Sequence, residues 1–202
     1  RSVTRAGKMG LSCRIGSECE FYLLRLNEEG EPALTPHDHA GYCDISPLDR
    51  GENVRREICL TLEEMGLRPE SSHHEQGPGQ NEIDFRHADA MCAADQLVAF
   101  ESVVKAIAAQ NGLYASFLPK PFPGESGSGL HANLSLSRGG KNLFEMENGR
   151  MSPEAESFLE GILCRAAEIT AFSNPLPQSY ARLGSREAPG YVAWGQGNRS
   201  QL

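Results

Sequence analysis

An α+β fold, an antiparallel sheet with flanking helices, is what the residue pattern predicts, and three observations carry that reading. Polar and apolar residues alternate through 131–137, and partly through 13–26, as strands require. Apolar residues recur at spacings of three and four over 49–65 and 89–111, as amphipathic helices require. Turns and hairpins, rather than helical crossovers, dominate the connections between strands, which favours antiparallel pairing over a doubly wound parallel sheet.

Taken in order, residues 13–26 form the first strand, closed by the turn residues Asn27-Glu28-Glu29-Gly30. A loop follows through Pro32, Pro36 and His37-Asp38-His39 to Pro47. The helix over 49–65 places Val54, Ile58, Leu62 and Met65 on one face and stops at Gly66. Residues 68–85 read as a hairpin folded over Gly77-Pro78-Gly79-Gln80. The next helix covers 89–111 and ends at Gly112, and a short strand covers 114–118. Residues 119–129 are loop. Along 131–137, His131, Asn133, Ser135 and Ser137 share one face. A third helix begins at Ser152-Pro153, an N-cap followed by proline in the first turn, and runs to about 172. The remainder is rich in Pro and Gly.

With 202 residues, 39% hydrophobic and 23% charged, the chain has the size and balance of a globular domain with one sizeable core. A net charge of −8 argues against non-specific nucleic-acid binding, and no apolar run approaches the ~20 residues of a membrane span. The basic start, Arg1-Ser2-Val3-Thr4-Arg5, has no apolar segment behind it, so no secretory signal is read there. The absence of an initiator Met is read as a loss of upstream residues. The six cysteines make no Cys-x-x-Cys pair, and most sit in apolar stretches. They are expected to be reduced thiols of a cytoplasmic protein rather than zinc ligands.

The segment Ser72–Asp84 is chemically the richest. Glu75 and Glu82 flank the Gly-Pro-Gly turn and come together if it folds as a hairpin, an oxygen-rich pair suited to Mg or Mn rather than zinc. The bland alternative is a polar loop tip. The adjoining histidines are ambiguous: one can support a metal site from behind its ligands, and either can be structurally satisfied, a reading that suits His73 better. Glu18 and Glu20, two apart on a strand, project to one face and repel unless a cation lies near. On an exposed strand the same pair is simply solvated, but Phe21, Tyr22 and Leu23 point to a strand entering a core. Gly124–Gly129 is a flexible loop able to bring backbone N–H groups to an anion, and it leads to His131, a candidate metal ligand. Arg182, Arg186 and Arg199, with Glu187 among them, can grip carboxylate or phosphate groups; the alternative is ordinary surface arginines.

These motifs, in this order, resemble the type I glutamine synthetase family across essentially the whole chain. Glu18-Cys19-Glu20-Phe21 resembles its E-x-E-F strand, and Gly41-Tyr42 with Pro47-Leu48-Asp49 its G-Y-F…P-x-D segment. His74-Glu75 through Gly79-Gln80-Asn81-Glu82 resembles H-H-E…G-Q-N-E. Lys120-Pro121 and Gly127–His131 resemble K-P…N-G-S-G-M-H. Asn174-Pro175, Ser179–Leu183, Glu187-Ala188-Pro189 and Asn198-Arg199-Ser200 resemble N-P…S-Y-K-R-L…E-A-P…R-N-R-S. The resemblance implies a glutamine synthetase/guanido kinase-like catalytic domain and an ATP- and Mg2+- (or Mn2+-) dependent ligase joining ammonium to glutamate through γ-glutamyl phosphate. Glu20, Glu75 and Glu82 would hold one metal, and Glu18 and His131 a second. Glu70 and Ser135 fall at the ATP contacts. Gly127 and Arg182 fall at the glutamate contacts, and Arg199 at the phosphates. Tyr42 and Glu75 would help form the ammonium pocket, and Glu187 would lie on the closing flap. The family is homo-oligomeric, with sites shared between subunits.

Three departures stand out. Ser126 replaces the family's Asn before Gly-Ser-Gly, the flap between Leu183 and Glu187 is one residue short, and the downstream arginine and R-x-E motifs are absent. With the N-terminal β-grasp domain also missing, residues 1–202 are expected to be a partial catalytic domain. Two rivals remain open at this stage: a γ-glutamyl ligase taking an amine, and a catalytically silent assembly protein.

Overall fold

The computed structural model describes residues 1–146 and 148–195. The fold is organised by one strand, β1 (Leu11–Leu26), which pairs antiparallel with neighbours along both edges. On one edge lie β5 (Ala88–Asp89), β4 (Gln80–Phe85) and β2 (Pro32–Pro36); on the other lie β7 (Leu130–Arg138) and β6 (Leu113–Ser116). β3 (Pro69–His74) extends the sheet beyond β4, and β8 (Lys141–Asn142) extends it beyond β7.

Directly opposed residues on neighbouring strands point to the same side of a sheet. Glu20 faces Glu82, Tyr22 faces Gln80, Glu18 faces His131, and Gly16 faces Asn133, so one face is polar. The intervening residues Cys19, Phe21, Leu23, Ile83 and Phe85 go to the other face, where helices α2 (Glu52–Glu64) and α3 (Ala90–Gln110) cover them. α2 contributes Val54, Ile58 and Leu62, one per turn, and α3 contributes Phe100, Val103, Val104, Ile107 and Ala108. Phe100 is fully buried and meets the rings of Phe21, Phe85 and Phe117 edge-on at centroid distances of 6.0, 5.2 and 5.8 Å. Edge-to-face contacts of this kind add to the area term of aromatic burial.

The sequence-based elements differ from this in a few places. β2 lies where a loop was expected; its two prolines are tolerated because it pairs only at the end of β1, at the margin of the sheet. The predicted helix over 152–172 is two helices, α4 (Pro153–Cys164) and α5 (Ala166–Ser173), broken at Arg165 with φ −110° and ψ 8°. Neither Gly nor Pro marks that break, so periodicity ran through it. The N-cap at Ser152 is as expected, its Oγ accepting from Ala155 N at 3.0 Å. Two short helices escape periodicity altogether: α1 (Ser2–Lys8) buries nothing, and α6 (Pro177–Arg182) starts on a proline inside the Pro-rich tail. Of the cysteines, Cys19 alone is buried, while Cys43, Cys92 and Cys164 are exposed; apolar neighbours in sequence did not put those thiols on the inward face. All six are free, and no helix among the described residues is long and apolar enough to cross a membrane.

Phe100→Ala should empty the meeting point of four rings. A loss of about 3–5 kcal/mol in urea unfolding of the intact protein is the expected outcome; a change below about 1 kcal/mol would show that the aromatic cluster does not hold sheet to helices.

Candidate active site

The polar face of the sheet gathers the acidic residues singled out in the sequence. The hairpin β3–β4 brings Glu75, just past β3, beside Glu82, and His73 bridges them, its Nε2 lying 2.9 Å from Glu75 Oε1 and 3.2 Å from Glu82 Oε2. Ligand atoms of His73, Glu75 and Glu82 all lie within 4.8 Å of one another. One strand over, Glu20 accepts from Gln80 Nε2 and from Gly129 N–H, each at 2.8 Å. One residue pair further along, Glu18 takes His131 Nδ1 at 2.9 Å and Asn133 Nδ2 at 2.7 Å. Strand register alone accounts for this order, because residues 18 and 20 of β1 share a side and face His131 and Glu82 across the ladders.

Crowding of like charge shows in the acidities. Burial, together with the neighbouring Glu75 and Asp84 carboxylates, pushes Glu82 up to about 8 against the lowering contact of His73. Burial likewise raises Glu20, with Glu75 adding to it. Burial also opposes ionisation of Glu75, but its contact with His73 prevails and the group sits below its ordinary value. Hydrogen bonds to Glu75 and Glu82 push His73 up to about 10. The imidazolium is thus the local countercharge for the pair.

The 119–129 loop closes one side. Tyr22, fully buried, donates to Ser126 O at 2.6 Å, and Gln80 Nε2 reaches Gly127 O at 3.2 Å. A Cβ on Gly129 would stand 2.8 Å from Glu20 Oε1, 2.9 Å from His131 Nε2 and 3.1 Å from Arg182 Nη2, so three polar groups from distant parts of the chain converge there. A Cβ on Gly127 would lie 2.5 Å from Pro119 O and 2.7 Å from Arg182 Cγ; only glycine lets the arginine stem pass. Arg182 Nε is buried without a hydrogen-bond partner among the described residues. Glu187, with φ +59°, is held to this loop by Ser126 Oγ at 3.2 Å. Lys120 Nζ reaches Ser185 Oγ at 3.2 Å, and Arg186 Nη1 lies 4.0 Å from Glu125.

Not every expected residue enters this centre. The ring of Tyr42 is exposed and meets His73 edge-on at 5.4 Å. Glu70 lies in a separate cleft of about 590 Å³ with Arg14, Arg68, Arg86 and His87, and Ser135 is the β7 residue opposite Arg14. Arg199 lies outside the described residues.

The two histidines, ambiguous in the sequence, take different places. His73 stands between the two glutamates, whereas His74 is fully buried and turned away against Asp38. Adjacent strand residues point to opposite faces, and which of a His-His pair points inward depends on register that sequence alone leaves open. Sequence reading also passed over Gln80, Asn133 and Tyr22, polar groups whose strand parity with Glu20 and Glu18 was the available signal.

The fold is similar to that of solved proteins. A GmaS/ADP complex matches with a TM-score of 0.81 and 36% sequence identity, over 91% of this chain and 43% of that one. A cryo-electron-microscopy structure of Plasmodium falciparum glutamine synthetase matches with a TM-score of 0.81 and 25% identity, over 92% and 43% of the respective chains. The α+β fold is thus that of glutamine synthetase catalytic domains. The glutamine synthetase of Clostridium saccharobutylicum is 46% identical over 205 residues, covering 100% of this chain and 46% of that protein. The family model described as glutamine synthetase, catalytic domain, matches residues 1–202, and the chain belongs to that family. It spans about half the length of the curated relatives it matches.

In chelator, Glu82 keeps its proton to about pH 8 when folded but releases it near 4.5 once unfolded, so stability falls as pH rises through 8. His73, raised to about 10 from 6.5, acts in the same direction, its contribution being lost as pH rises through its folded value. Glu82→Gln should therefore lose less thermal stability than the parent between about pH 4.5 and pH 8, the window the Glu82 shift defines. Parallel melting curves for the two proteins would contradict the crowding described above.

Proposed function

We propose that the protein containing this chain is a glutamate–ammonia ligase, which converts glutamate, ammonium and ATP to glutamine, ADP and phosphate through γ-glutamyl phosphate. The observation that carries the reading is the gathering of Glu18, Glu20, Glu75, Glu82, His131 and Arg182 around Gly129 and the β3–β4 hairpin, in a member of this family.

The donor set suits Mg2+ or Mn2+: carboxylate oxygens dominate it, with one imidazole. The raised acidities of Glu82 and Glu20 mark a place where positive charge is wanted, and a bound dication supplies it. Glu20, Glu75 and Glu82 would hold one ion and Glu18 and His131 the other. Bound there, such ions neutralise phosphate charge. His131 reaches Glu18 through Nδ1, which leaves Nε2, the nitrogen aimed at Gly129, free to ligate.

The remaining residues bind and shield. Arg182, with a buried N–H that lacks a partner among the described residues, can receive the carboxylate of glutamate beside Gly127. The γ-carboxylate of glutamate attacks the terminal phosphoryl group of ATP, which Glu70 and Ser135 would help to seat and Arg199 to neutralise. Glu187, latched to Ser126, would cover the acyl phosphate and keep water from it. Tyr42 and Glu75 would form the pocket that takes ammonium and removes its proton, so that ammonia attacks the acyl carbon and phosphate leaves. The substrate sites would be completed between subunits of a homo-oligomer, and the free cysteines suit a reducing cytoplasm.

ADP release by the full-length protein, with ammonium set against a panel of amines, tests the reading. Ammonium-dependent ADP and glutamine are expected. Preference for an amine would move the assignment to another γ-glutamyl ligase, and no ADP with any acceptor would leave a silent scaffold. Glu82→Ala should abolish Mg2+-dependent nucleotide binding in calorimetry, because it removes a ligand oxygen; an unchanged titration would refute that role.

A further inference from the structure

Behind the β3–β4 hairpin, on the side away from the acidic cluster, lies a second set of charged groups that the ligase reading does not use. Asp38, Asp49, Arg55 and His74 are each at most 5% exposed. Their ligand atoms resemble a cation site in composition, since those of Asp38, Asp49 and His74 fall within 4.8 Å of one another. Their lone pairs are already taken. Asp49 accepts two bonds from Arg55, at 3.2 and 2.6 Å, and one from Gly51 N–H at 2.9 Å. Asp38 accepts from Ala40, Arg50 and Gly79 N–H groups and from His74. With a guanidinium already inside, this cluster is a structural brace rather than a metal site.

What it braces is the tip that carries Glu75. His74 Nε2 lies 2.8 Å from Asp38 Oδ1, and Nδ1 on the far side of the ring lies 2.7 Å from the carbonyl oxygen of Glu75. Asp38 Oδ1 also takes Gly79 N–H at 3.0 Å, and Asn81, whose Oδ1 accepts from Arg55 Nη1 at 2.6 Å, donates through Nδ2 to Gly79 O at 2.9 Å. Both ends of a turn containing Gly77, Pro78 and Gly79 are therefore fastened from the rear. Such a turn has little side-chain packing of its own to fix it.

Resting on the ligand role proposed for Glu75, we propose that His74, oriented by Asp38, is a positioning residue that sets the Glu75 backbone, and with it the carboxylate, for the divalent cation. The imidazole touches no substrate and acts through the Glu75 carbonyl. Groups that orient a ligand in this way govern affinity at the site without entering the coordination sphere.

Two replacements separate the ends of the ring. Asparagine places its amide where Nδ1 stands and keeps the Glu75 carbonyl contact; glutamine reaches toward Nε2 and keeps Asp38. Mn2+ titration of the full-length protein, with the free ion read by electron paramagnetic resonance, is expected to give a Kd about tenfold weaker for His74→Gln. His74→Asn should stay within about twofold of the parent, with similar melting temperatures for the two variants, because each loses one hydrogen bond. Equal weakening in both, in step with their melting temperatures, would make His74 only a structural residue and overturn the inference. Parent-like Mn2+ binding by His74→Gln would overturn it too. Glu75→Gln separates the two readings. If it loses Mn2+ while His74→Gln does not, the positioning role alone falls. If it binds Mn2+ like the parent, the ligand assignment falls and takes the positioning role with it.

Discussion

Carboxylates held within reach of one another repel unless positive charge stands between them, and that repulsion governs this fold's functional face. Glu20, Glu75 and Glu82 cannot all ionise freely where they are: burial first, and the neighbouring carboxylates after it, raise Glu20 and Glu82. The folded chain answers in part with His73, whose imidazole sits against Glu75 and Glu82 and holds its proton far above the ordinary range. A face built in this way is strained by its own charge and relieved by a cation, which is how a scaffold gives up stability to make a site.

The same tension explains why the structure is doubled around the hairpin. In front, acidic groups converge; behind, Asp38, His74, Asp49, Arg55 and Asn81 form a network in which the carboxylates are met by donors, Arg55 Nε being the one buried donor left over. The front is under-compensated and the rear largely compensated. Only the second arrangement can hold a backbone still in low dielectric, because buried polar networks stabilise geometry when their members are paired. The glycine-bearing turn between the two faces takes its shape from the rear and presents its carboxylate to the front.

Much of this was legible before any coordinates. Alternation through β1 and β7, and spacings of three and four through α2 and α3, recovered the elements that bury the core, because those elements owe their existence to a single apolar face. The pairs Glu18 with Glu20 and Glu75 with Glu82 were legible from strand parity and a short hairpin, while their meeting with His131 was implied only by the family resemblance, because it depends on register between distant strands. What stayed hidden depends on tertiary contact. β2 forms because β1 offers a free edge, α5 starts anew at Arg165 without a sequence marker, and register decides which of His73 and His74 meets the glutamates. Gln80 escaped notice because an amide carries no charge to advertise it, although it joins Glu20 to the loop at Gly127.

β1 serves five neighbours at once, and its residues alternate between oily packing and chemistry. One deletion within it would send Phe21 to the wet side and Glu20 into the grease, and would break several ladders together. Such a strand tolerates exchange of letters but not a change in their number. Growth and trimming of this scaffold are therefore confined to its loops, while the central span keeps a fixed count.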